Sequence, residues 1–368
     1  ELIAEAPVAK DENGDDIGTS LYLGSKAFKI ADGKSTIGRF YPDYFKVTGT
    51  EWTYPDNQND SVYMGQNFAS VKFEVTAYNA DGYATQNYGS FADSLKADLH
   101  LAGSFSDRLS ILDSDLTSKN WSGAIWSKTW VNSVDWSKAV NLDGPFNSKV
   151  STDSSTESSI ALSLNNTAST KTAHIDPTLF LTEGHDGKQS RTVEQQLLSQ
   201  PDVRYGRMVL DDIGGRQGDT LSIPLKVEYW NKNRFVVNSK DNRTAVSAVE
   251  QGDDKLIWSS PDGVTACDIN IQVLDSADSE TSSAKVTGGI LPNANRERLT
   301  AVQGCDNEVR QQSQVWLDLD DSENGLPWLK YDWDKDGSEE NPSSVVTFGI
   351  HRGNDRVIYR GEPGLTGQ

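Results

Sequence analysis

The chain has 368 residues, more than one hydrophobic core usually serves, and 36% of them are hydrophobic, with ten Trp, twelve Tyr and eleven Phe available to fill β-sheet cores. Its net charge of −20 repels phosphate backbones and anionic headgroups, which excludes nucleic acid and the bare membrane surface as natural partners. No apolar run is long enough to cross a bilayer.

The chain opens on Glu1 with no signal peptide ahead of it, so it is expected to be a soluble piece of a longer exported protein. Residues 1–27, acidic at Asp11-Glu12 and Asp15-Asp16, read as an N-terminal segment or linker. A first β module is expected over 28–185. In it Val71, Phe73, Val75 and Ala77 alternate with Lys72, Glu74 and Thr76, and Ile160, Leu162 and Leu164 repeat the period of two. Residues 91–98 and 192–199 have the pattern of short helices, the second stopping before Pro201. The polar stretch 186–200 lacks strand alternation and is the candidate linker.

A second β module is expected over 201–362, followed by a tail at 363–368. Leu221, Ile223, Leu225, Val227 and Tyr229 alternate with polar residues, and Pro224 among them predicts an edge strand or a bulge. Ile269-Ile271-Val273 and Val315-Leu317-Leu319 carry the same alternation. Many short strands between Gly, Asn, Asp and Ser clusters predict an all-β chain of two or three antiparallel Ig-like sandwich modules in tandem.

Cys267 and Cys305 are the only cysteines. They either close one disulfide loop, worth roughly 4 kcal/mol in the chain-entropy account, or remain two buried thiols; in an exported chain the disulfide is the expected state. Neither belongs to a CxxC pair, and His100, His174, His185 and His351 are scattered, which argues against a zinc site.

Asp332-Trp333-Asp334-Lys335-Asp336-Gly337 has the DxDxDG spacing of a calcium loop, with Glu340 at the ninth position. Carboxylates at alternate positions converge on one hard cation, and the glycine permits the sharp turn. The twelfth position is Ser343, so the bidentate Glu of an EF-hand is missing, and the bland reading is an acidic hairpin connection. Asp11, Asn13 and Asp15, and the run Asp318, Asp320, Asp321 and Glu323, read as solvated acidic faces. Trp121, Trp126, Trp130 and Trp136 are candidates for stacking on sugar rings, although Trp126 and Trp130 alternate as inward-facing strand residues would, and core packing is the favoured reading of the cluster. There is no GxSxG elbow, HExxH or phosphate-cradling loop, so no enzyme is expected.

Several segments together resemble the C-terminal region of the MshQ family, which is associated with MSHA (mannose-sensitive haemagglutinin) type IV pili. They include Gly38-Arg39-Phe40-Tyr41-Pro42, Tyr63-Met64-Gly65-Gln66-Asn67-Phe68, Asp143-Gly144-Pro145-Phe146, Arg204-Tyr205-Gly206-Arg207, Glu228-Tyr229-Trp230-Asn231 and Leu326-Pro327-Trp328-Leu329-Lys330-Tyr331-Asp332-Trp333-Asp334. Thr347-Phe348-Gly349-Ile350 and Arg352-Gly353-Asn354-Asp355-Arg356 follow in the same order. Residues 231–244 lack a cysteine that often occurs there in the family. The resemblance implies a bacterial protein of the cell surface, with pilins or other pilus components, and host or surface glycans, as partners. It supplies no catalytic residues. Three functions are therefore in play: adhesion or surface display on a pilus, a docking module without a ligand site of its own, and, with least support, a carbohydrate-active enzyme.

Overall fold

The computed structural model describes residues 2–4, 8–10, 12–13, 16–19, 33–35, 41–55, 61–139, 159–164, 179–183, 187–231, 233–248, 255–260, 265–291, 296–306, 309–320 and 325–349. The expected tail at 363–368, the Asp143–Phe146 motif, and Asp11, Asp15, Asp321, Glu323, His174, His185 and His351 lie outside them. The fold is all-β. Among the described residues, regular structure other than strand consists of single 3-10 turns such as Tyr88–Ser90 and Pro327–Leu329.

The first module packs a six-stranded sheet against a three-stranded one. The larger runs in the order Gln189–Thr192, Phe180–Glu183, Tyr44–Thr53, Ser70–Tyr78, Ile125–Val131, Trp121–Ser122; the smaller runs Glu194–Gln196, Ser159–Leu164, Leu99–Ser104. The alternation at Val71, Phe73, Val75 and Ala77 buries all four, with Ile160 and Leu162, in one core. The sheet is mostly antiparallel; Phe180 beside Phe45 is a parallel pair.

Within residues 186–200, expected to be a linker, two strands instead complete these sheets. Gln189–Thr192 pairs with Phe180–Glu183, and Glu194–Gln196 pairs with Ser159–Leu164. The predicted helix over 192–199 is therefore a short strand, and 91–98 holds one 3-10 turn at Asp93–Leu95. Both added strands lie at sheet edges with largely exposed side chains, so no face was selected to be apolar.

In the second module one sheet orders Ile213–Gly215, Ser343–Phe348, Gln311–Trp316, Lys255–Ser259, and another orders Leu221–Ser222, Arg298–Gln303, Ile269–Leu274, Glu280–Thr281. A third holds Gly206–Leu210, Leu225–Asn231 and Arg234–Val237. Pro224 marks a break between two strands: Leu221–Ser222 pairs with Arg298–Gln303, whereas Leu225–Asn231 pairs with Gly206–Leu210. The chain changes sheets where proline cannot donate to a ladder, so the expected single strand through 221–229 is two.

The modules are joined by backbone as well as side chains. Val203–Arg204 runs parallel to Val62–Tyr63, with Val62 N–H donating to Asp202 O at 3.0 Å and Met64 N–H to Arg204 O at 2.9 Å. Trp230 and Tyr331 of the second module belong to the first core, while Tyr63 of the first belongs to the second. Gly206 is required here: a Cβ would stand 2.5 Å from the Tyr63 ring and 2.9 Å from a Leu329 methyl.

Candidate cation-binding loop and the inter-module junction

The Pro327–Leu329 turn delivers the chain to Tyr331, whose backbone bridges to Glu340 at 3.2 and 3.0 Å and closes the acidic loop between them. Asp332 is 2% exposed, and its two oxygens accept the N–H groups of Asp336 at 3.0 Å and Gly337 at 3.1 Å. Asp334 also accepts the Asp336 N–H, Asp336 accepts Ser338 N–H at 2.8 Å, and Glu340 accepts Trp333 N–H at 2.7 Å. Gly337 takes φ +97°, a conformation that strongly favours glycine. One oxygen from each of Asp332, Asp334, Asp336 and Glu340 lies within 4.8 Å of the others. Ligands about 2.3–2.6 Å from a calcium ion span such separations, and an all-carboxylate set suits a hard cation. Ser343 begins the Ser343–Phe348 strand and accepts Gln314 Nε2 at 3.0 Å, so the sheet claims the position where an EF-hand places its bidentate Glu.

Beside the loop, the first module inserts Lys138. Its ammonium group donates to Lys330 O at 2.6 Å, Trp328 O at 3.2 Å and Gly206 O at 3.4 Å, pairs with Glu339 at 2.6 Å, and sits 4.7 Å from the Tyr205 ring centre. Burial pushes the Glu339 carboxyl above its ordinary range, against the opposing pull of Lys138. On the other flank Arg207 bonds Glu228 at 2.9 Å and lies over the rings of Phe235, Tyr331 and Trp333 at 3.7, 4.9 and 5.0 Å. A third contact is buried: Arg204 donates to Asn238 Oδ1 at 2.8 Å, Asn238 donates to Tyr63 Oη at 2.6 Å, and Tyr63 donates to Asp241 at 2.8 Å. The sequence offers no local signal for most of these partners, which lie far apart in the chain, as with Lys138 and Lys330 at a separation of 192 residues.

The other candidates separate from this region. Trp121, Trp126, Trp130 and Trp136 are all buried in the first core. Three of their indoles donate internally, to Ala97 O, Thr117 O and Asp115 Oδ2. The sugar-stacking reading of this cluster is therefore corrected: aromatics on the inward face of a strand are core, with no ring surface left for a ligand. Cys267 and Cys305 are joined by a disulfide with Cα atoms 5.4 Å apart, just beyond the Ile269–Gln303 pair of two neighbouring strands. His100 faces Asp113 at 3.4 Å, and Asp320 is paired with Lys330 at 2.6 Å.

No curated protein matches the chain. Residues 10–179 match the third domain of DUF6701 and residues 204–363 its fourth domain. The interval between the two matches contains the strands that close the first module and the Val203 end of the junction. The chain thus carries the third and fourth domains of the DUF6701 family in tandem.

Proposed function

We propose that this tandem is a non-enzymatic, extracellular component of MSHA-type type IV pili, acting in surface display, adhesion or pilus biogenesis. The observation that carries this reading is the junction: two β modules exchange core residues and share a parallel strand pair, as suits a segment that projects other domains without hinging. The Cys267–Cys305 disulfide fits an oxidising, exported setting, and the resemblance to the MshQ C-terminal region supplies the pilus. The test is fractionation of pili with immunodetection of this region. Recovery with pili, lost when the region is deleted, supports the reading; recovery only with cytoplasm overturns it.

A docking module is the second reading, favoured by Leu256, Ile257 and Trp258. They are 48%, 47% and 43% exposed on an edge strand whose register shifts between Leu256 and Trp258. Such a bulge hinders simple strand addition and turns three consecutive side chains outward.

Calcium in the 332–340 loop is part of the same proposal, as a stiffener of the junction. At one hundred times its Kd, calcium is expected to add about 2.7 kcal/mol to stability, seen as a higher melting midpoint in calcium than in chelator. The Asp334→Asn, Asp336→Asn pair should erase the difference. Equal midpoints for the unmodified chain would rule the site out.

A further inference from the structure

Residues 191–202 run beside the Tyr44–Thr53 strand in one constant register. Asp43 O accepts from the Arg191 guanidinium at 2.6 Å, and Gln195 Oε1 accepts Val47 N–H at 2.9 Å. Thr50 Oγ1 accepts Leu198 N–H at 3.2 Å, and Tyr54 Oη accepts Asp202 N–H at 2.9 Å. Each of these pairs is 148 residues apart, and the Trp52 indole, donating to Ser199 O at 3.1 Å, spans 147. An offset that holds from Asp43 to Tyr54 means that the two segments lie parallel. Each bond has a side chain at one end, so this is a stitched seam and not a ladder. On its other flank Glu194–Gln196 pairs with Ser159–Leu164, and the Gln200 amide exchanges two bonds with the Ile160 backbone, at 2.8 and 2.9 Å. The seam therefore fastens the two sheets of the first module to each other. Leu197 is buried, but Val193 and Leu198 are each 60% exposed, so hydrogen bonds carry much of its hold.

The direction of the seam decides how it responds to tension. Tension along the chain reaches the Tyr44–Thr53 strand at its N-terminal end and leaves the first module through Val203, just beyond the C-terminal end of the seam. In a parallel alignment those two points lie at opposite ends, so the segments are drawn past each other along their length. All the bonds of the seam then share the load. Pulling both segments from the same end would instead break the bonds one at a time, and each is weak by itself. Val203–Arg204 continues the arrangement, parallel to Val62–Tyr63, before the chain enters the second module.

We propose that residues 191–204 form a shear-loaded clamp that keeps the first module folded when the chain is under tension. This deepens the surface-display form of the proposed function and rests on it for biological meaning; pilus fractionation tests that reading separately. The experiment stretches the whole chain, disulfide intact, at constant force between handles on its two ends. The first module is recognised by the longer extension it releases, since the Cys267–Cys305 bond keeps its own loop in the second module from extending. Gln195→Ala with Tyr54→Phe removes two bonds of the seam, and the first module should then unfold about tenfold faster at the same force. Gln312→Ala with Gln314→Ala removes two side-chain bonds of the second module and should leave that rate unchanged. A second comparison keeps every bond of the seam. Handles on Asp81→Cys and Val193→Cys load it from one end, because Asp81 follows Tyr78, the partner of Tyr44, and Val193 precedes Gln195. Unfolding should then begin at a lower force than with terminal handles. Equal rates for the seam variant and the unmodified chain, or equal forces for the two handle placements, would overturn the clamp. Either of these results in a chain still recovered with pili would refute the clamp and leave the pilus reading standing.

Discussion

Replacing Lys138 with Met is expected to destabilise the chain by about 3–5 kcal/mol, the usual consequence of removing one partner from a buried charge pair. Lys138 and Glu339 side chains are 7% and 20% exposed, so little water reaches the carboxylate left behind. The Lys330 and Trp328 carbonyls lose a donor at the same time. Met preserves most of the stem's packing and length, which confines the change to charge and hydrogen bonding. Adding Glu339→Gln should recover part of the loss because the stranded charge disappears, while the unfilled carbonyls keep recovery incomplete. The readout is chemical denaturation followed by both tryptophan fluorescence and circular dichroism. Because Lys138 crosses from one module to the other, the parent is expected to unfold in one coincident transition and the variant in two. A loss under about 1 kcal/mol with transitions still coincident would show that the junction does not depend on this ion pair.

Short-range patterns in the sequence carried the strands but not the junction. Val71 through Ala77 were legible because each alternate residue meets the same core. The 189–192 and 194–196 strands were hidden because edge strands exposed on both faces have no alternation to read. Residues 192–199 offered Val193, Leu197 and Leu198 at helix-like intervals, yet Leu197 alone of the three is buried. In the acidic loop, Asp332, Asp334, Asp336 and Glu340 were readable from spacing because one loop of nine residues brings them together. Tyr63, Lys138 and Asp241 were not, since their pairings depend on how two finished modules dock, whereas Arg207 and Glu228 simply face each other across neighbouring strands. The four tryptophans show the opposite hazard: a residue type suited to binding sugar is equally suited to filling a core, and indole donation to Ala97 and Thr117 carbonyls shows which role was taken.

The second large effect is expected from the disulfide, at about 4 kcal/mol, within a usual range of 2–5. Cys267 and Cys305 are 38 residues apart, so cutting the bond frees a loop that includes both strands of the Ile269–Leu274 and Arg298–Gln303 pair. Those strands bury Ile269, Ile271, Val273, Leu299 and Ala301 in the second core. Opening at this end therefore exposes apolar surface along with the added chain entropy. One local restraint survives the cut: Gln311 still accepts Cys267 N–H and donates to Cys267 O, both at 2.8 Å. Serine at both positions should thus leave the native register intact while lowering the denaturation midpoint. Amide exchange should quicken first in the strands the bond holds, and protection in the Ser70–Tyr78 and Ile125–Val131 strands should change least, because the first core contains neither cysteine. A double serine variant within about 1 kcal/mol of the oxidised chain, or one whose exchange quickens evenly over both modules, would show that the bond does not fasten this sheet.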